Sequence, residues 1–343
     1  MAWTINNGKL YFNTNLYTGD GSTSRSITGV GFQPDWVWVK SRSATYYHGL
    51  WDAVRTNKSA LYSNVANAED TSTGGTLGSL DSDGFTTQNV SGGFINNNGT
   101  TYVSWNWLGA NGTASNTTGS IDSTVSANTT SGFSIVKWTG NGGTASVGHG
   151  LGVKPNIVIK KNLGASTNWI FSTTIIDGSN DFFYLNSTNA KGNSGETAPT
   201  ASLINLYANS ENNGNGNGMI AYCFAEKQGY SKFGSYTGNG NANGTFVYTG
   251  FKPAFVMIKK TSGTSNWTIW DSVRQSNEIN KPLWGDLNSA EAAQSTVKLD
   301  LLSNGFKIRG NGSNVGSSGG SYIYMAFASN PLVTSTGVPA TAR

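Results

Sequence analysis

The chain has one cysteine, Cys223, and two histidines, His48 and His149, in 343 residues. A single cysteine excludes an internal disulfide. Its setting, Ile220-Ala221-Tyr222-Cys223-Phe224, reads as a small buried residue in a strand rather than a reactive thiol. Two scattered histidines and one thiol are too few ligands for a zinc centre, so neither a metal nor a cofactor is expected. Charge is scarce, at 12% of residues against roughly 25% in an average globular protein. The net charge of +4 comes from 22 basic and 18 acidic residues. They form no basic cluster of the kind that neutralises phosphates, so nucleic acid is not an expected partner. No run approaches the roughly 20 apolar residues needed to cross a bilayer. Met1-Ala2-Trp3-Thr4 lacks the basic and apolar regions of an export signal, so neither membrane insertion nor secretion is expected. Helical periodicity is nearly absent. The one candidate is 289–294, with 67–69 as its shorter partner.

What is abundant is glycine, at 45 residues, and aromatics, at 12%. With so many aromatics and so little net charge the chain is not disordered, and its surface is expected to be neutral and polar. The same pattern is written three times. Tyr17, Trp138 and Tyr236 each open a glycine turn, and each is followed seventeen residues later by a proline: Pro34, Pro155 and Pro253. After each proline comes an apolar run closed by lysine: Trp36-Val37-Trp38-Val39-Lys40, Ile157-Val158-Ile159-Lys160-Lys161 and Phe255-Val256-Met257-Ile258-Lys259. Equal spacing in three places marks one duplicated unit. The prolines stand 121 and 98 residues apart (155 − 34 and 253 − 155), a domain each and too long for a solenoid.

The expected architecture is all-β: three tandem antiparallel β-sandwich modules of jelly-roll-like form. Residues 1–16 are an N-terminal arm, with Lys9-Leu10-Tyr11-Phe12 a candidate strand or docking segment. Module one covers 17–111. The linker 112–131, rich in Gly, Ser, Thr and Asn, carries one edge strand. Module two covers 132–231, module three 232–334, and 335–343 is an extended tail. In module one, Trp36 and Trp38 face one side of a strand and Val37 and Val39 the other, so that strand is expected to be buried on both faces. Trp51-Asp52-Ala53-Val54-Arg55 recurs as Trp270-Asp271-Ser272-Val273-Arg274, and Ser82-Asp83-Gly84-Phe85 as Ser303-Asn304-Gly305-Phe306. Residues shared between copies mark the fold, so Trp51, Trp270, Pro34, Pro155, Pro253, Phe85 and Phe306 are expected structural residues. Module two lacks the Trp-Asp-x-Val-Arg segment, and its 212–218 Asn-Gly run reads as a flexible loop.

The motif Gly-Phe-x-Pro-x-x-Val-x-x-Lys, as in Gly31-Phe32-Gln33-Pro34-Asp35-Trp36-Val37-Trp38-Val39-Lys40, resembles a repeat of tail and structural proteins of tailed bacteriophages, marine and cyanobacterial ones especially. The ending Val333 to Arg343 is similar to the C-termini of such proteins. The resemblance spans nearly the whole chain. It implies a virion structural protein, made in the host cytoplasm and released by lysis, with other virion proteins as partners. It also implies a homo-oligomer, a trimer being the expected number, and no catalytic residues.

Three roles are therefore open. The leading one is a tail fibre, tail-tip or other surface appendage that touches host envelope glycans. A capsid-decorating, neck or tail component without a receptor is the alternative, and a polysaccharide depolymerase the third. Glycan contact would use exposed aromatics, with Tyr46, Tyr47, Trp267 and Trp284 as candidates. A depolymerase needs two facing carboxylates. The repeated acids are Asp52 with Asp271 and Glu69 with Glu291, and each aspartate precedes an arginine by three residues, which reads as a structural ion pair. His48 stands where the other copies have Trp169 and Trp267, and His149 where they have Thr28 and Val247. Both read as packing or surface histidines, and the chain is not expected to be an enzyme. Asp81-Ser82-Asp83-Gly84 has the opening of a calcium loop but loses its charge in the third copy, so it reads as a turn.

Overall fold

The computed structural model describes residues 5, 7–55, 59–72, 77–88 and 94–328. The fold is all-β. The first module contributes β1 (Phe12–Thr18), β2 (Ser24–Thr28), β3 (Trp36–Ser41), β4 (Gly49–Asp52), β5 (Leu61–Tyr62), β6 (Leu77–Asp81), β7 (Gly84–Gln88) and β8 (Thr101–Trp107). The second contributes β9 (Ala114–Asn116), β10 (Ser123–Asn128), β11 (Phe133–Thr139), β12 (Ala145–Gly148), β13 (Ile157–Asn162), β14 (Ile170–Thr173), β15 (Asp181–Tyr184), β16 (Gly192–Asn193), β17 (Leu203–Leu206), the short helix α1 (Ser210–Asn213) and β18 (Gly218–Phe224). The third contributes β19 (Ser231–Thr237), β20 (Phe246–Tyr248), β21 (Pro253–Lys260), β22 (Thr268–Asp271), β23 (Leu283–Trp284), β24 (Leu299–Leu302), β25 (Gly305–Ile308) and β26 (Ser321–Ala328).

Each module has a main sheet of one order: β1-β8-β3-β4-β5, β11-β18-β13-β14-β15 and β19-β26-β21-β22-β23. A smaller sheet covers its outer face: β2-β7-β6, β12-β17 and β20-β25-β24. Module two is wider, with β16 added at one edge and β10 and β9 at the other. The linker 112–131 therefore supplies two strands rather than one. Asp35 fastens its approach by accepting from the backbone N–H of Gly109 at 2.7 Å and Asn111 at 3.1 Å. The N-terminal arm is shorter than expected, because β1 begins at Phe12 and pairs along its length with β8. Residues 335–343 lie outside the described residues.

The strand after each proline is buried on both faces, and the two faces look into different cores. Val37 and Val39 face module one's own sandwich, with Trp51 and Phe85. Trp36 and Trp38 face a core shared by all three modules, which also takes Ile157 and Ile159 of module two and Phe255 and Met257 of module three. At its centre Trp107, Phe224 and Phe327 meet pairwise, with ring centroids 6.5, 5.8 and 5.7 Å apart. These are one position in three copies, each opposite the residue two places after its proline. The modules thus close into a ring about a pseudo-threefold axis.

The seams repeat as well. The residue eight places after each proline accepts a backbone hydrogen bond from the next module: Leu163 from Glu69 at 2.9 Å, Thr261 from Lys191 at 3.5 Å and Arg42 from Glu291 at 2.7 Å. Fourteen places after the proline, Trp169 Nε1 donates to Tyr62 O at 2.8 Å and Trp267 Nε1 to Tyr184 O at 3.0 Å. His48 takes this place at the third seam. Its Nδ1 accepts from Trp38 Nε1 at 2.8 Å, and burial holds the ring neutral beside the backbone of Trp284 and Leu287, where Nε2 closes no hydrogen bond. His149 is buried too, with Nε2 3.2 Å from Thr200 O.

Two expectations fail for one reason. The candidate helix 289–294 is not helical, since Glu291 is tied across the seam to Arg42 by backbone and by a 2.6 Å ion pair, and Gln294 N–H bonds Asn280 O at 2.7 Å. Tertiary pairing overrides the helix preference of its alanines. The 212–218 run opens inside α1, and buried Asn213 accepts from Trp138 Nε1 at 3.2 Å and donates to Asn141 Oδ1 at 2.6 Å.

Candidate functional site

The repeated acids are structural. Asp52 and Asp271 are wholly buried, each held by the arginine three residues on at 2.6 Å. Each also receives a donor from another module, Tyr222 Oη to Asp52 at 2.7 Å and Trp105 Nε1 to Asp271 at 3.1 Å. Glu69 pairs with Arg55 at 2.7 Å. A substrate could not reach either aspartate. At the third place of this set stand Thr173, whose hydroxyl donates to Asn156 O at 2.8 Å, and Met325, so that seam has no such pair.

Module two departs from the pattern on its sandwich face as well. In module one, Trp51 lies over Gly49, where an added Cβ would come within 2.1 Å of the indole. Module two has Ser172 and Ile170 at these two positions. Val39 is replaced by Lys160, whose ammonium forms a buried ion pair with Glu196. A cavity of about 290 Å³ opens beside Ile170, lined by Phe182, Tyr184, Asn193, Ser194, Gly195, Tyr207, Asn209, Glu211 and Asn212.

Each wall of the cavity has a local cause. Phe182 and Tyr184 of β15 alternate with Phe183 and with Leu185 just beyond the strand. The latter pair enters the shared core, so the former pair faces out, rings 5.4 Å apart at 69°. Gly192 lets the Phe182 ring lie on its backbone, and Gly195 does the same for Tyr207; an added Cβ would stand 2.5 and 2.8 Å from those rings. Tyr207 remains 46% exposed at the rim. Asn209 caps α1 by accepting from Asn212 N at 2.8 Å and Asn212 Nδ2 at 2.9 Å. Asn212 is buried, and its Oδ1 has no partner. Ser172 Oγ, on the strand face that carries Ile170, is also unpartnered. Glu211 accepts from Asn168 Nδ2 at 2.9 Å. Burial and the Glu211 charge raise the Tyr184 phenol above its ordinary range.

The lining offers aromatic faces, amides, a hydroxyl and one carboxylate. It has no histidine, thiol or lysine. Glu211 is the single acid of the wall, and Glu196 is committed to Lys160. Among the described residues no group of three or more His, Cys, Asp or Glu is placed to hold a metal. Cys223 is buried, and burial pushes its thiol far up. Asp81 and Asp83 serve a turn, with Asp83 accepting from Gly29 N at 3.0 Å and Gly31 N at 2.6 Å.

The residues proposed from sequence as glycan contacts fall elsewhere. Tyr47 is exposed and leans on Tyr62 at 5.3 Å, while Tyr46 is half-buried. Trp284 is half-buried against module three's own core. Trp267 is a correction: it is 1% exposed, wedged on Phe171 and Phe183 at 4.6 and 5.8 Å, and supports β15 from behind. It occupies the seam position that Trp169 holds in module two. Pro34, Pro155, Pro253, Trp51, Trp270, Phe85 and Phe306 are all buried. The cavity residues were not foreseen one by one, but the lost Trp-Asp segment marked the module that holds them.

The fold and the cavity define a class: an all-β protein of three sandwiches fused into one ring, with tryptophan at one sandwich position in two copies and serine in the third. The chain belongs to the DUF7483 family, described as a domain of unknown function, whose model matches residues 7–331. No curated protein and no solved structure matches the chain.

Proposed function

We propose that the protein is a structural component of a tailed-phage virion, a surface appendage that contacts host envelope glycans. The observation that carries this reading is the open cavity in the one copy that departs from the repeat. Its aromatic and amide wall suits a sugar, whose C–H face stacks on a ring while its hydroxyls bond to polar groups. The low charge and the resemblance of the repeat to phage structural proteins support the setting. Other virion proteins are the partners, and copies on one particle multiply a modest contact through effective concentration. One chain already arranges three sandwiches about an axis, so a homotrimer is not needed to build that threefold. The burial of Asp52 and Asp271 favours binding over depolymerisation.

The test is binding of the labelled protein to host cells, with unrelated bacteria as control. Saturable, host-selective binding competed by free glycan supports the appendage. Its absence in a well-folded sample returns the protein to a neck, capsid or internal tail role. Detection of the chain in purified particles by mass spectrometry tests the virion setting separately.

A further inference from the structure

We infer that the module-two cavity binds one uncharged pyranose and excludes anionic sugars. The site is built by subtraction. In module one an indole covers the strand position that Ile170 holds in module two. Modules one and three keep that tryptophan, module two has Ser172 in its place, and Phe182, Tyr184 and Tyr207 stand around the space beside Ile170. At about 290 Å³ it lies at the lower end of ligand pockets, roughly 300–1,000 Å³, which suits one sugar ring rather than a chain. Tyr207, half exposed at the rim, is the face on which the ring stacks.

The polar groups give the selectivity. Asn212 Oδ1 is an acceptor with no partner in the protein, and a buried acceptor left unmatched is costly. A sugar hydroxyl or acetamido N–H is the donor it lacks. Glu211 adds a second acceptor. The wall carries no cation: Lys160 lies behind it, neutralised by Glu196, and Lys161 gives its Nζ to Asn162 O and Ala165 O at 2.8 and 3.2 Å. Lys191 reaches the wall residue Asn193 at 3.3 Å but is paired with Asp181 at 2.7 Å, so a uronate or sialate carboxylate would meet the repulsion of Glu211 with no unpaired cation to offset it.

This inference takes the glycan-contact reading to a particular site, and its test does not need cells. Saturation-transfer NMR of the full chain is run against methyl glycosides: neutral hexosides and N-acetylhexosaminides in one set, a glucuronide and a sialoside in the other. At least one neutral glycoside is expected to receive saturation, and the anionic set none. Tyr207→Ala is expected to weaken that binding by about tenfold, whereas Tyr248→Ala, an exposed tyrosine of module three, leaves it unchanged. Glu211→Gln keeps an amide beside Asn168 and is expected to admit the glucuronide. Silence from every neutral glycoside overturns the inference, and so does transfer that Tyr207→Ala leaves intact. Glycoside binding without cell binding removes the appendage and keeps the site. Cell binding that Tyr207→Ala does not touch removes the site and keeps the appendage.

Discussion

Removing one oxygen, Tyr222→Phe, asks whether the three sandwiches melt as a unit. The Tyr222 ring stacks on Trp36 at 4.4 Å and 19°, and phenylalanine keeps that stack. What is lost is the 2.7 Å hydrogen bond to Asp52 across the seam of modules one and two. A hydrogen bond to a charged group contributes about 1.5–3 kcal/mol. Asp52 keeps its ion pair and hydrogen bonds with Arg55, so the cost falls toward the lower end, about 2 kcal/mol. For 343 residues melting as one unit that lowers Tm by about 3 °C. Scanning calorimetry is the assay. Because the shared core takes residues from all three modules, the native chain should show one endotherm, and the variant the same single endotherm at lower temperature. Three resolved transitions, or a shift confined to part of the heat, would refute the closed ring and return the modules to beads on a string.

Three other outcomes follow from the same contacts. Trp51→Ala empties the space over Gly49 and should cost about 3–5 kcal/mol by chemical denaturation, whereas Ser172→Ala, which removes an unpartnered hydroxyl, should be neutral or slightly stabilising. Burial lowers Lys40 to about 7, Lys161 to about 8 and Lys259 to about 8. Between those values and roughly 10.4 the unfolded chain holds more protons. Stability should therefore rise from pH 7 toward 9.5, then fall as the unfolded tyrosines ionise and buried Tyr17, Tyr222, Tyr230 and Tyr236 do not. Lys40→Met should flatten the rise, and a Tm independent of pH over this range counts against it. Asp271→Ala leaves the buried Arg274 guanidinium without its main partner and should cost about 3–5 kcal/mol; an unchanged denaturation midpoint would contradict that.

The copies and the doubly buried strand were legible because the proline offset and the period-two alternation are local signals. The ring was not. Alternation says that Trp36 and Val37 are both covered, but not that Trp36 meets Tyr222 of another module. The pairing of Glu69 with Glu291 was visible as a repeat, yet its meaning, a backbone seam with Lys191 as third member, needs the topology. Trp267 was misread although its alignment with Trp169 was in hand, since a tryptophan kept in two copies at one offset belongs to the fold. The 289–294 segment failed where a local preference met a seam. Module two's cavity was half legible: the missing Trp-Asp segment identified the departing copy, but Phe182, Tyr207 and Asn212 carry no motif, and only the sheet brings them together.

Glycan contact through module two is tested by comparing the native chain and Tyr207→Ala, both fluorescently labelled, on host cells. Saturable, host-selective binding by the native protein is expected, weakened about tenfold in the variant. Equal binding by both would contradict the claim that the departing copy carries the function, and binding by neither would contradict the glycan-contact role itself.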